Sequence, residues 1–208
     1  MQAILWDMDG TLIDSEPLHE LALMQALEKL GHTAAPDLHD HVLGMSAEAV
    51  YGWLCREVGL DMPFKQWITM KYELYMAGVE TLKPVPGALE TWAAADAADV
   101  RQAVASNSDR IVVNANLGRF DMITPGMVSV CRNDIRKGKP DPEIYLRAAW
   151  LLGVDPADAV VVEDSGTGAA AGLAAGMQVY LVPTSEVAVP EGATKLQDFA
   201  ELRALFES

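Results

Sequence analysis

The chain has 208 residues, half of them hydrophobic, and a formal net charge of −15. Such a chain can bury one good core and a smaller second lobe, and its acidic charge argues against binding to nucleic acid or to anionic membrane surfaces. No apolar run approaches the roughly 20 residues that cross a bilayer, and the first predicted strand leaves no room for a signal peptide. We therefore expect a cytoplasmic monomer with two reduced cysteines, Cys55 and Cys131.

The first part of the chain combines one strand with a helical insertion. A strand is predicted at residues 2–6, because the apolar run Ala3–Trp6 is followed by a turn glycine, a pattern typical of a buried strand. The next stretch has no convincing strand, and prolines that fix φ bound it on both sides. Its helical patterns lie at about residues 18–30, 46–58 and 64–81. We therefore predict an all-helical cap domain over residues 15–83, inserted into a core domain of residues 1–14 and 84–208.

The rest of the chain alternates strand and helix patterns. Four further strands are predicted, at residues 100–105, 128–131, 159–163 and 178–182. A helix is predicted after Pro142, where apolar residues recur at helical spacing: Ile144, Tyr145, Ala148, Leu151 and Leu152. Residues 184–192 are predicted to be a surface loop and residues 194–206 a final amphipathic helix. The alternation predicts an α/β fold, a doubly wound parallel Rossmann-like sheet with helices on both faces.

Polar residues follow several of these strands. In open parallel sheets, ligands bind beyond the carboxyl ends of the strands, so residues there should converge. The candidates are Asp7 and Asp9 after the first strand, Ser106 and Asn107 after the second, Glu163 and Asp164 after the fourth, and Lys139 in a preceding loop. Asp7 and Asp9 point the same way if the extended conformation persists. Carboxylates aimed at one point need a positive partner, and a hard cation with oxygen ligands provides it.

These residue types have distinct roles if the substrate is a phosphate monoester. Asp7 would attack phosphorus and form an aspartyl-phosphate, and Asp9 would act as general acid and then general base. Glu163 and Asp164 would complete the oxygen shell of a Mg²⁺ ion. Lys139 would supply a point charge beside Asp7 and the transferring group.

The phosphate itself would be bound by the Ser106–Asn107 segment. The Ser106 hydroxyl and nearby backbone N–H groups would donate to phosphoryl oxygens. Alternatively, Ser106 and Asp164 are helix caps, Lys139 is a solvated lysine, and Asp7 and Asp9 cap a turn. The joint order of these residues along the chain favours the catalytic interpretation.

That order resembles the haloacid dehalogenase superfamily of phosphotransferases. The resemblance covers essentially the whole chain and consists of DMDGTLIDSEP at 7–17, ASNS at 105–108, KGKPDPE at 137–143 and VEDS at 162–165. The chain is most similar to the branch with a helical cap after the first motif, which includes phosphoglycolate phosphatases, sugar phosphatases and β-phosphoglucomutase. The resemblance implies a Mg²⁺-dependent reaction on a small phosphorylated metabolite, with the metal bound by Asp7, the backbone carbonyl of Asp9, Glu163 and Asp164.

In this branch the cap usually decides the substrate. The candidate specificity loop spans residues 43–48 and includes Gly44, Met45 and Ser46. β-Phosphoglucomutases resemble this segment but carry an arginine after the serine, where this chain has Ala47. The missing guanidinium removes a bidentate partner for a second phosphate, which favours a phosphatase over a mutase.

Three other cap residues have open roles. His19, after Pro17, could polarise the substrate or relay a proton during cap closure, or it could be structural. Lys71 and Tyr75 resemble cap residues that face the site, but a surface lysine and a packing tyrosine are the favoured interpretation.

Two alternatives belong to other functional classes. One is a phosphosugar mutase and the other is a non-catalytic regulatory protein on the same fold. The intact acid pair, lysine and acidic fourth motif argue against the second. Dehalogenation is disfavoured because the dehalogenase relatives lack the second aspartate and the metal.

Overall fold

The structure is a computed structural model that describes residues 1–33, 38, 42 and 45–207. The chain divides into two compact units, one of residues 1–14 and 83–208 and one of residues 15–82. No helix among the described residues is long and apolar enough to cross a membrane. Cys55 and Cys131 are both free thiols.

The larger unit is an α/β layer structure. Its strands are β1 (Ala3–Trp6), β2 (Ile13–Asp14), β3 (Lys83–Pro84), β4 (Arg101–Ala105), β5 (Val128–Val130), β6 (Ala159–Glu163), β7 (Gln178–Leu181) and β8 (Ala193–Lys195). Its helices are α4 (Ala88–Ala97), α5 (Arg110–Arg119), α6 (Glu143–Leu152), α7 (Gly166–Ala174) and α8 (Phe199–Arg203). Short 3₁₀ segments occur at Arg132–Asp134 and Pro156–Asp158.

Six strands form one parallel sheet in the order β5-β4-β1-β6-β7-β8. β1 lies between β4 and β6, with Leu5 aligned to Ala103 on one side and Val161 on the other. The predicted parallel α/β fold is therefore confirmed. The carboxyl ends of the two neighbours of β1 lie beside its own carboxyl end, which brings Asp7 close to the residues that follow β4 and β6.

The sheet is buried on both faces because helices cover it. β1 and β6 are buried throughout, as expected for strands that are apolar at every position apart from the terminal Glu163 of β6. Ile144, Tyr145, Ala148 and Ala149 of α6 pack into this core, whereas Leu151 is 44% exposed. The buried stripe of this helix therefore differs from the predicted one: it includes Ala149 and leaves out Leu151.

The smaller unit is helical. It contains α1 (Glu16–Lys29), α2 (Ala47–Trp53) and α3 (Phe64–Gly78). A π-helical turn, Leu54–Val58, continues α2, and a 3₁₀ turn, Val79–Thr81, continues α3. A separate core joins these helices and is built from Leu23, Leu27, Leu38, Val50, Leu54, Leu60 and Trp67.

Two local predictions were wrong. The stretch predicted as one helix, residues 194–206, contains the end of strand β8 before helix α8 begins at Phe199. Lys83–Pro84 is a strand, because it pairs antiparallel with Ile13–Asp14. The predicted surface loop 184–192 is a loop that is exposed at most positions, but its Ser185 is buried and donates a hydrogen bond to the backbone carbonyl of Asp164.

Candidate active site

A buried lysine links two carboxylates at the carboxyl edge of the sheet. Lys139 Nζ lies 2.6 Å from Asp7 Oδ1 and 2.6 Å from Glu163 Oε1. The three side chains are 3%, 9% and 0% exposed. Asp7 follows β1 and Glu163 ends β6, so neighbouring strands deliver the two acids. Three predicted site residues thus come together although they are far apart in sequence.

Burial and charge shift the pKa values of this cluster in different directions. Burial raises the pKa of Asp7 well above its usual value, and the carboxylates of Glu163, Asp164 and Asp9 act in the same direction against the Lys139 cation. Burial also acts to raise the pKa of Glu163, but the charge and hydrogen bonds of Lys139 outweigh it and the pKa is lowered. Burial alone would lower the pKa of Lys139, yet its two carboxylate partners raise it.

Glu163 is enclosed by donors. Its Oε1 accepts a hydrogen bond from the Tyr145 hydroxyl at 2.7 Å, and its Oε2 accepts one from the Ser165 hydroxyl at 2.9 Å. The Lys139 ammonium lies 5.0 Å from the centroid of the Tyr145 ring. The sequence interpretation assigned Tyr145 to packing alone and missed this contact. A hydroxyl-bearing residue on the buried stripe of α6 was the available signal.

Tyr145 responds to the same charges. Burial raises the pKa of its phenol well above the usual value, and the negative charges of Glu163 and Asp7 act in the same direction. The phenol therefore keeps its proton and acts as a hydrogen-bond donor to Glu163.

Asp7, Glu163 and Asp164 could together hold a metal ion. Each offers a carboxylate oxygen, and these oxygens lie within 4.8 Å of one another. The raised pKa of Asp7 fits such a site, because a cation there would offset the repulsion among the three carboxylates. An all-oxygen donor set suits a hard ion such as Mg²⁺. Gly10, at φ +78°, leaves room for Asp164, whose carboxylate a Cβ at that position would overlap.

The Asp9 carboxylate has separate partners. Strand β1 ends at Trp6, although the Asp7 N–H still donates to the Val162 carbonyl at 2.9 Å, and the side chains of the two aspartates bind different groups. Asp9 Oδ2 accepts from the hydroxyls of Ser106 at 2.9 Å and Ser108 at 2.8 Å. Its Oδ1 lies 3.4 Å from Nδ2 of Asn116, a residue the sequence interpretation missed.

The loop after β4 also contacts the lysine loop. Asn107 Oδ1 accepts from the backbone N–H of Lys139 at 3.0 Å. Gly138 permits this approach, since a Cβ there would lie 2.7 Å from Asn107 Oδ1. Asn107 is thus positioned beside Lys139, while the Ser106 proton is donated to Asp9.

A glycine in α7 makes the Glu163 pocket possible. A methyl group on Gly168 would overlap the Glu163 carboxylate, whereas one on Gly166 would meet no atom within 4 Å. We expect Gly168→Ala to destabilise the fold by about 1–3 kcal/mol or more, because a close-packed buried carboxylate must move. Urea unfolding of Gly166→Ala, in the same helix, serves as the control and should stay within about 0.5 kcal/mol of wild type. Equal stability of the two variants would contradict this packing.

The predicted cap residues lie in the helical unit. Met45 is 43% exposed, and the Ser46 hydroxyl caps α2 by accepting from the Ala49 N–H at 3.3 Å. The His19 ring lies 4.4 Å from the Tyr75 ring, centroid to centroid. Tyr75 is fully buried and Lys71 is 9% exposed, so Lys71 is not a surface lysine. Gly44 lies outside the described residues.

Comparison with known proteins identifies relatives along the whole chain. The sequence profile of haloacid dehalogenase-like hydrolases matches residues 1–176. The phosphorylated carbohydrates phosphatase of Thermotoga maritima is 30% identical over 179 residues, which cover 86% of this chain and 83% of that protein. Hexitol phosphatase B of Escherichia coli K12 is 30% identical over 191 residues, which cover 88% and 84%.

A solved structure agrees with these sequence relatives. The crystal structure of CbbY from Rhodobacter sphaeroides in complex with phosphate superposes with a TM-score of 0.88 at 27% identity. The match covers 97% of this chain and 96% of that one, so the likeness extends through both units.

Proposed function

Because the chain belongs to the haloacid dehalogenase-like hydrolases, we propose that it is a Mg²⁺-dependent phosphatase that hydrolyses a small phosphate monoester through an aspartyl-phosphate. The observation that carries this proposal is the buried triad of Asp7, Lys139 and Glu163, with Asp164 beside it at the carboxyl edge of the sheet. Phosphatases among the relatives support the reaction class.

In the first step, an Asp7 carboxylate oxygen attacks phosphorus and the bond from phosphorus to the ester oxygen breaks. Asp9 donates a proton to the departing oxygen. In the second step, Asp9 takes a proton from water as that water attacks phosphorus, which releases phosphate and restores Asp7. Lys139 holds Asp7 Oδ1 and adds a fixed positive charge beside the reacting group.

Asp7, Glu163 and Asp164 are the side chains that would hold Mg²⁺, as the sequence predicts together with the Asp9 carbonyl. When bound, the ion neutralises phosphate charge and orients the phosphoryl oxygens. Ser106 and Asn107 are the proposed phosphate ligands.

We propose a phosphorylated carbohydrate as the substrate, with a phosphoglycolate-like acid as the next candidate. The printed names of two relatives, a phosphorylated carbohydrates phosphatase and a hexitol phosphatase, support the first class. His19, Gly44, Met45 and Ser46 are proposed substrate-binding residues. The mutase alternative is not favoured, because Ala47 lacks the guanidinium that would bind a second phosphate.

Removal of the metal tests the proposal. In a panel of sugar phosphates, phosphoglycolate and nucleoside monophosphates, we expect phosphate release with Mg²⁺ and none with EDTA. Mg²⁺ should also raise the thermal unfolding midpoint of the wild-type protein more than that of Asp164→Asn, because an ion bound to the native state stabilises it. Full activity in EDTA would refute the metal requirement, and isomerised ester without free phosphate would indicate a mutase.

A further inference from the structure

Helix α5 carries an amide on its buried face. Its buried residues are Val112, Val113, Asn116 and Leu117, and Asn116 is fully buried. An amide in an apolar stripe is unfavourable unless it forms hydrogen bonds. The Asn116 Nδ2 group lies 3.4 Å from Asp9 Oδ1. A buried polar side chain of the helix therefore reaches the first motif across more than a hundred residues of sequence.

Three side chains hold the Asp9 carboxylate. Ser106 and Ser108 donate their hydroxyl protons to Oδ2, and Asn116 donates to Oδ1. Both oxygens are thus bound by groups of the β4–α5 segment. Asp7, in contrast, binds Lys139. The proposed nucleophile and the proposed acid are therefore anchored by different parts of the fold.

The Ser106 hydroxyl has one proton to donate. It gives that proton to Asp9 while its oxygen accepts from the Ser108 N–H at 3.0 Å. Ser106 is also a proposed phosphate ligand, and it cannot donate to a phosphoryl oxygen and to Asp9 at once. When substrate takes the Ser106 proton, Ser108 and Asn116 still donate to Asp9.

We propose that Asn116 is a positioning residue for proton transfer: with Ser108 it keeps the Asp9 carboxylate oriented while Ser106 binds the phosphoryl group. This inference rests on the proposed phosphatase function. It requires no change in the chemistry, since Asp9 still gives its proton to the leaving oxygen and receives one from water. The amide acts only through Asp9.

The dependence of the rate on the leaving group tests this role. An alkyl ester needs a proton on its leaving oxygen, whereas 4-nitrophenyl phosphate does not. We expect Asn116→Leu to lower kcat/KM about tenfold for the alkyl phosphate that wild type hydrolyses fastest. This loss is smaller than the full contribution of a general acid, because the variant misplaces Asp9 and does not remove it. The value for 4-nitrophenyl phosphate should stay within about twofold, because kcat/KM reports the steps through the first irreversible one.

Two further variants make the test specific. Ser108→Ala should also lower kcat/KM for the alkyl phosphate and not for 4-nitrophenyl phosphate. It tests the same role if Asn116→Leu fails to fold. Asn114→Leu, at an exposed position of the same helix, should leave both values unchanged. Equal losses for the alkyl and aryl esters in Asn116→Leu and Ser108→Ala would indicate a purely structural effect and overturn the proposal.

A substrate-free measurement tests the contact itself. The side-chain amide resonance of Asn116 can be identified in a ¹⁵N–¹H spectrum by its loss in Asn116→Leu. Asp9→Asn should move that resonance to lower proton frequency, because a neutral acceptor binds the amide more weakly than a carboxylate does. An unmoved resonance would overturn the proposal. If wild type hydrolyses none of the esters but Asp9→Asn still shifts the Asn116 resonance, the phosphatase function is refuted and the contact between Asn116 and Asp9 is confirmed.

Discussion

Asp7→Asn should abolish phosphate release, with kcat lowered by about 10⁴-fold or more, as for other enzymes that lose a nucleophile. The amide has the same size but cannot attack phosphorus. The variant should remain folded, because burial already disfavours the charged form of Asp7 and raises its pKa. Phosphate release and circular dichroism measure the two effects separately.

A matched control and a chemical signature accompany this variant. Asp14→Asn makes the same change at an exposed carboxylate of the same motif and should retain wild-type activity. Wild type that is mixed with an ester radiolabelled on phosphorus and then quenched with acid should carry the label as aspartyl-phosphate. The Asp7→Asn protein should remain unlabelled. A rate near that of wild type in Asp7→Asn would exclude Asp7 as the nucleophile.

Lys139→Met should destabilise the metal-free protein by about 3–5 kcal/mol at neutral pH, because it leaves two buried carboxylates without their cation. Methionine is an unbranched side chain that follows lysine as far as Cε and lacks the ammonium group, so it removes the charge with little loss of packing volume. Activity should be lost as well, since Asp7 loses the group that holds Oδ1. Urea unfolding in EDTA measures the stability, and phosphate release with Mg²⁺ measures the activity.

The destabilisation should depend on pH. Lys139 lowers the pKa of Glu163 in the folded protein, so this pair stabilises wild type above the unfolded pKa of Glu163, about 4.3. That contribution is lost as the pH falls through the folded pKa. The deficit of Lys139→Met should therefore be largest at neutral pH and shrink below about pH 4. A deficit independent of pH would show that packing, not charge, is responsible.

The control for this variant lies two positions away. Lys137 is 77% exposed and lies 3.8 Å from Asp141 Oδ2. Lys137→Met should change stability by less than about 0.5 kcal/mol, because surface ion pairs contribute little.

The core sheet could be predicted because its signals are local. Each of the strands β1, β6 and β7 contains a short apolar run, and the turn residue Gly10 follows β1. The strand ends then identified Asp7 and Glu163 as neighbours through a rule of sheet topology, whereas Lys139 was predicted from its place in the loop before α6 and from the motif order.

Strand β8 could not be predicted in this way. It has three residues, and its pairing with β7 is the feature that makes it a strand. The same holds for the two-residue pair of β2 and β3, which joins positions about 70 residues apart. Such strands depend on partners that a local pattern does not contain.

The supporting residues of the site were missed for a related reason. Tyr145 and Asn116 occupy buried helical positions that spacing alone assigns to the core. Their partners, Glu163 and Asp9, lie in other elements. A polar group at a buried position indicates that some partner exists, but only the folded contacts identify it.

The order of the sheet also determines when the site can assemble during synthesis. Strand β1 leaves the ribosome first, yet its two neighbours are residues 101–105 and 159–163. An apolar segment with both edges open is a template for mispairing until those neighbours arrive. The nascent chain therefore carries its future nucleophile beside a strand with at least one open edge until β6 has emerged.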